Sequence, residues 1–260
     1  MRLDIVLPAH DEEHRIGPTL DAYCAAVPGD DVRFVVAADA CCDGTCDVVG
    51  AHAAEDPRVR LREFPKLGKG GVIAAAFAAS DADLVAFVDA DGATPPRELL
   101  RLVAATGGTD GAIASRRHPA AVLPARRPLA RRVTSAGFAF AVRRLMRMPY
   151  ADTQCGAKVL RRDVVRAVLP RLEAHDLLFD VDLLAAAREL GFRVVEVPTI
   201  WIDREGSRVQ PVADTRRMGG SLLRLWARRR VAERSRGRRR PAPDAVRAAV
   251  GAREVARAEA

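Results

Sequence analysis

The sequence predicts an α/β fold, a mainly parallel sheet flanked by helices on both faces. Three observations predict it. Short apolar runs alternate with helix-like segments through the first 115 residues, the pattern of successive βαβ units. Some runs are almost unbroken, as in "LVAFV" at 84–88, which suits a strand buried on both faces. Hydrophobic residues make up 49% of the 260, enough for a full core and too many for wholesale disorder.

Taken in order, "LDIVLPA" (3–9) reads as a buried strand and "IGPTLDAYCAAV" (16–27) as a helix. "VRFVVAA" (32–38) is a second strand, with a helix following Asp43-Gly44-Thr45. "VRLREF" (59–64) is a short third strand, and "GKGGVIAAAFAAS" (68–80) a helix with a glycine-rich start. "LVAFVDA" (84–90) is the fourth strand. "PPRELLRLVAA" (95–105) opens on prolines, which the first turn of a helix tolerates. "GAIAS" (111–115) is the fifth strand. Beyond it the pattern is less regular. "PLARRVTSAGFAFAVRRLMRM" (128–148) reads as a long helix, "CGAKVLRR" (155–162) as a strand, "FDVDLLAAARELG" (179–191) as a helix and "FRVVEVPTIWI" (192–202) as a strand. "DTRRMGGSLLRLWARRR" (214–230) sets Met218, Leu222, Leu225 and Trp226 on one helical face among arginines. The last ~25 residues are expected to be loosely ordered or a separate helix.

The net charge is +8, and most of the excess lies in residues 224–240. A basic tail on a balanced body argues against a nucleic-acid-binding fold. No secretory signal and no apolar run of about 20 residues is visible. The five cysteines are an odd number and imply no complete disulfide framework. A cytoplasmic setting is expected. Cys41, Cys42 and Cys46 lack the second matched pair of a zinc site. "GKGG" lacks the spacing and the hydroxyl residue of a nucleotide-hydrolase phosphate loop.

The chemistry is expected at the carboxyl ends of the strands, where ligands gather in such sheets. "VDADGATPP" (88–96) ends the fourth strand in two carboxylates, Asp89 and Asp91. Residues two apart share a strand face, and paired carboxylates suit Mg²⁺ or Mn²⁺ bridging to a phosphorylated ligand. A helix-capping arrangement before Pro95 is the structural alternative. "VLPAHDEEHRI", "VVAADACCDGTCDVV", "FPKLGKGG" and "ASRR" follow the other strands and line the same edge.

This set resembles glycosyltransferase family 2, the nucleotide-sugar transferases of the GT-A (Rossmann-like) fold. "DADG" looks like its Asp-x-Asp element and "LPAHDEE" like its opening strand end. "DADGAT", "DTQCGAKVL", "FDVDLL", "EVPTIW" and "EGSR" occur in the order seen in dolichyl-phosphate β-glucosyltransferases, a group related to polyprenyl-phosphate mannose synthases. The resemblance spans roughly residues 3–226. It implies one GT-A domain over 1–230, with a nucleotide-sugar half (1–115) and a C-terminal acceptor half (116–230), and a basic tail over 231–260.

By resemblance, Pro8, Ala9, Asp11 and Glu12 line the nucleoside pocket and Asp39 meets the nucleobase. Ala38 stands where the family usually has a further aspartate. Lys69, Ala90 and Arg208 lie near the nucleotide-sugar, and Asp91 is the main ligand of Mg²⁺ or Mn²⁺, with Asp89 beside it. Arg116, Arg131 and Ser135 match positions that hold an acceptor phosphate, and guanidinium suits phosphate oxygens. Asp152 is a candidate to orient the acceptor or to act as a base. A phosphate acceptor needs no base, being an anion already.

The implied activity is metal-dependent, inverting transfer of a hexose, glucose from UDP-glucose, to a polyprenyl phosphate. The helix ending in "LWARRR" either rests on an anionic membrane or packs its apolar face against the domain. Two alternatives stay open. One is a transferase for a soluble small-molecule acceptor. The other is a non-catalytic module that binds nucleotides or nucleic acid.

Overall fold

A computed structural model describes residues 1–124, 129–202 and 211–236, together with Val246; of the side chains of 129–132, 211–217 and 232–236 nothing is said. Seven strands form one sheet in the order β3-β2-β1-β4-β6-β5-β7. They are β1 (Leu3–Ala9), β2 (Val32–Asp39), β3 (Val59–Phe64), β4 (Leu84–Val88), β5 (Gly111–Ser115), β6 (Ala157–Arg161) and β7 (Val194–Pro198). β1, β2, β3 and β4 are parallel, as are β5 and β7. β6 runs antiparallel to both β4 and β5 and is wedged between them. The fifth strand in sequence therefore does not neighbour the fourth. The run "CGAKVLRR" from the second half enters the sheet there, so the two halves share one sheet.

The helices are α1 (Ile16–Ala26), α2 (Thr45–Glu55), α3 (Gly68–Ala78), α4 (Pro96–Ala105), α5 (Leu129–Met146), α6 (Arg162–Val168), α7 (Phe179–Glu189) and α8 (Pro211–Arg236). α6 is one that sequence reading did not anticipate. α8 runs past residue 230, so the tail boundary set there falls inside a helix. Arg208 and most of the C-terminal tail lie outside the described residues.

Strand alternation splits the core in two. Leu3, Ile5 and Leu7 of β1 and Leu84, Ala86 and Val88 of β4 point to a cluster under α1, α2 and α4. Val6, Val85 and Phe87 point to the other cluster, with α3, α5, α6, α7 and α8. Burial of such side chains stabilises by about 1.5–3 kcal/mol each. Leu222 and Leu225 of α8 are buried in the second cluster, with Met218 and Trp226 against it. The apolar face of "SLLRLW" therefore packs inward, and that face does not meet a membrane. Arg229 fixes the helix further. Its Nε donates to Asp182 Oδ1 of α7 at 2.8 Å and its Nη1 to Glu189 Oε1 at 2.8 Å. Its Nη2 bonds both the carboxylate and the carbonyl of Asp182.

Candidate active site

The carboxyl ends of β1, β2 and β4 meet along one edge because these strands are parallel neighbours. β4 ends at Val88, so strand alternation cannot carry through to Asp91. Asp89 continues the Phe87 side. Its Oδ1 accepts from Lys69 Nζ of α3 at 2.5 Å, and its N–H donates to the Gly156 carbonyl at 2.9 Å. Asp91 lies in a tight turn at Gly92, whose φ is +68°, and its Oδ1 accepts from the Ala93 N–H at 2.9 Å. Asp91 opens on a cavity of about 390 Å³ that is also lined by His14, Arg15, Thr19, Tyr23 and Thr94. Burial, and then the charge of Asp89, raises the pKa of Asp91. The two carboxylates are thus one electrostatic unit although they face different neighbours.

This donor set fits a hard divalent cation. It supplies oxygen ligands only, and its mutual repulsion is relieved by positive charge. Lys69 supplies part of that charge. Burial favours its neutral amine, but Asp89 and then Asp180 outweigh this and raise its pKa. Beneath it, fully buried Lys158 donates to Asp180 at 2.5 Å and to the Cys155 carbonyl at 2.8 Å. Both ammonium groups lie against the Phe87 ring, at 5.9 Å and 5.1 Å from its centroid.

Other residues singled out by sequence lie at the same edge with varied partners. Asp39 is buried, and its Oδ1 accepts from the N–H groups of Leu67 (2.7 Å) and Gly68 (3.2 Å), at the start of α3. Its Oδ2 lies 3.3 Å from Lys66 Nζ. Asp11 takes a positive φ of 54° and accepts from the Cys42 N–H at 2.8 Å. Glu12 grips Arg15 through two bonds of 2.6 and 2.7 Å. Pro8 and Ala9 end β1 against Ala37 and Ala38 of β2, and the Ala90 carbonyl accepts from the buried hydroxyl of Thr19 at 3.0 Å.

Arg116, just beyond β5, binds Asp152 through Nε (2.7 Å) and Nη2 (3.0 Å), and its N–H reaches the same carboxylate at 3.1 Å. Its guanidinium stacks 4.9 Å from the Trp201 ring centroid. Burial opposes the charge of Asp152, but Arg116 outweighs it and holds the carboxyl at about 2. Asp152 is thus engaged through both carboxylate oxygens as the counter-ion of Arg116. Asp89 contributes to the raised pKa of Arg116, which ties this pair to the carboxylates. Ser135 accepts from Arg117 Nη2 at 2.5 Å, so its partner is Arg117, which sequence reading left unassigned. Arg131 lies in the first turn of α5, and its side chain is outside the description.

Sequence reasoning missed four supporting residues. Gly156 packs on Asp89 so closely that a Cβ would fall inside the carboxylate. Lys158 and Asp180 pair below the site, and Glu196 of β7 accepts from the N–H groups of Ala151 (2.9 Å) and Asp152 (2.7 Å). "DTQCGAKVL", "FDVDLL" and "EVPTIW" carried these residues as strings; the signal for their pairing is tertiary.

A mainly parallel sheet whose strand ends gather paired carboxylates, a lysine and a half-buried arginine defines an α/β protein with a charged strand-end edge. Comparison with known proteins places it more closely. Residues 4–169 match the model of glycosyl transferase family 2, and the chain belongs to that family. Glycosyltransferase AglD of Haloferax volcanii is 34% identical over 233 residues, covering 87% of this chain but only 37% of that protein. A dolichyl-phosphate beta-glucosyltransferase of Drosophila melanogaster is 31% identical over 246 residues, 88% of this chain and 75% of the other. An undecaprenyl-phosphate mannosyltransferase of Micrococcus luteus is 34% identical over 210 residues, 79% and 85%. Among solved structures, glucosyl-3-phosphoglycerate synthase of Mycobacterium tuberculosis, bound to Mn²⁺, UDP and phosphoglyceric acid, aligns with a TM-score of 0.64. It is 18% identical and covers 86% of this chain and 78% of its own. That likeness speaks for the fold, which is GT-A.

Proposed function

We propose that this chain moves a hexose, glucose from UDP-glucose, to a polyprenyl phosphate with inversion at the anomeric carbon. One observation carries the reading: Asp89, whose charge acts on Asp91, also acts on Arg116, which Asp152 holds through two bonds. The site thus offers a place for a cation-bound diphosphate and, next to it, a guanidinium for a second anion. The names of the Drosophila and Micrococcus relatives favour a polyprenyl phosphate as that anion.

In this reading Asp91, with Asp89, would hold Mg²⁺ or Mn²⁺, which supplies charge neutralisation for the departing nucleoside diphosphate. Lys69 adds a second positive charge beside it, and Arg208 is assigned to the same diphosphate. Pro8, Ala9, Asp11, Glu12 and Asp39 border the nucleoside. Asp39, engaged through Oδ1 at the start of α3, has Oδ2 to offer by displacing Lys66. Arg116, set by Asp152 and the Trp201 ring, orients the acceptor phosphate, with Ser135 and Arg131 at its rim. The acceptor oxygen is already anionic, so no residue takes a proton. Rate comes from alignment and from fixed charge.

The test is calorimetry with UDP-glucose, other UDP-sugars and GDP-mannose, with and without Mn²⁺, followed by transfer to a short-chain polyprenyl phosphate. UDP-glucose binding that needs the metal, lost in Asp91→Ala, is expected. Failure of every sugar nucleotide to bind would remove the reading. Transfer to a soluble phosphate ester but not to the lipid phosphate would reassign the acceptor.

A further inference from the structure

We infer that the outward faces of α5 and α8 form a docking surface for an anionic lipid bilayer. Both helices send their inner faces into one core cluster, Phe138, Val142 and Met146 from α5 and Leu222 and Leu225 from α8. The two helices also pack against each other, so their outer faces are neighbours on the surface. They carry large apolar residues in the open: Phe140 is 69% exposed, Val133 65% and Leu223 55%. Val133, Gly137 and Phe140 follow helical spacing on α5.

The charge around these residues selects the occupant. α5 contains no acidic residue, and neither does α8 from Thr215 to Ala232. Arg143, Arg144 and Arg224 are exposed on these helices, and Arg228, exposed at the edge of the face, pairs with Glu173 at 3.2 Å. Apolar side chains set among arginines, with no acidic residue in either helical stretch, match the acyl boundary and anionic headgroups of a bilayer. A second copy of this face would bring arginines against arginines, which disfavours a self-associating patch. Among the described residues no helix is long and apolar enough to cross a membrane, so contact here means lying on the surface.

The position suits the proposed acceptor, and the inference rests in part on that reading. Arg117, next to Arg116, bonds Ser135 in the second turn of α5. The exposed apolar face thus begins beside the site assigned to the acceptor phosphate. This surface is not the one expected from sequence: the Leu222/Trp226 face is occupied by the core, and the adjacent face of α8 joins α5 instead.

The experiment is flotation of the full chain with vesicles of phosphatidylcholine alone or with about a third phosphatidylglycerol, free of polyprenyl phosphate. Binding to the anionic vesicles only, weakened by salt, is expected. Phe140→Asp/Leu223→Asp should reduce it roughly tenfold or more while the thermal melt and UDP-glucose binding stay unchanged. Hydrogen exchange of the unmodified chain provides a reading independent of substitution: vesicles should protect 133–144 and 221–231. Vesicle binding unaltered by the double substitution, or protection elsewhere, overturns the inference. So does a concentration-dependent dimer that the same substitutions dissociate. Because the vesicles hold no acceptor, loss of the transferase reading and loss of this one are separate results.

Discussion

A methyl group at position 156 would collide with the carboxylate of Asp89. Gly156→Ala is therefore expected to shift Asp89 and to lower sugar transfer by about a hundredfold, the scale of a ~1 Å misplacement in a positioned site. Circular dichroism should show the fold retained; full activity would remove Gly156 from the set of positioning residues. Asp152 leads to a pH prediction. Its folded pKa of about 2 lies below the ordinary value of 3.8. The stabilisation is thus fully present above pH ~4 and is lost as pH falls through about 2. Asp152→Asn should cost about 2–3 kcal/mol at neutral pH by leaving half-buried Arg116 without its counter-ion. Urea unfolding from pH 7 to 2.5 should show a shallower acid-side slope in the variant than in the parent, the remainder coming from other carboxylates such as Asp56. At this scale the sequence singled out Asp89 and Asp91 by residue type and place, and Arg116 by family resemblance. It could not identify Gly156, because a glycine's reason is the neighbour that fills its missing side chain.

At the scale of elements, the helices and strands of the first 115 residues were legible from period and punctuation. β6 was visible as a strand but not as an antiparallel wedge between β4 and β5, since pairing partners so distant in sequence leave no local trace. α8 shows the same limit. Its amphipathic face was plain, yet whether lipid or core covers it depends on what lies beneath. The Arg229 clamp on Asp182 and Glu189 supplies a test. Arg229→Met should lower stability by about 3–5 kcal/mol because Asp182 is left buried without its cation. The combined Asp182→Asn/Arg229→Met change, which keeps an acceptor for the Glu173 and Ala174 N–H groups, should recover much of that loss, read by thermal unfolding. Equal destabilisation by both would show that the pair itself, rather than the stranded charge, holds α8.

For the whole molecule, the donor site is expected to be coupled to global stability. UDP with Mn²⁺, each well above its dissociation constant, should raise the unfolding free energy by about 2–3 kcal/mol, and UDP with a chelator should not. A shift of equal size in Asp91→Ala would show that the metal is held elsewhere. The sequence by itself determined the α/β class and the family, and it set the candidate site residues at the strand ends of one sheet edge, because periodicity, strand-end residue types and ordered motifs are local properties of the chain. Only the tertiary structure decided that Asp152 belongs to Arg116, that Ser135 belongs to Arg117, and which faces of α5 and α8 stay in the open. Those outcomes follow from long-range packing, in which a side chain's partner is chosen by the geometry of the whole fold and not by its neighbours along the chain.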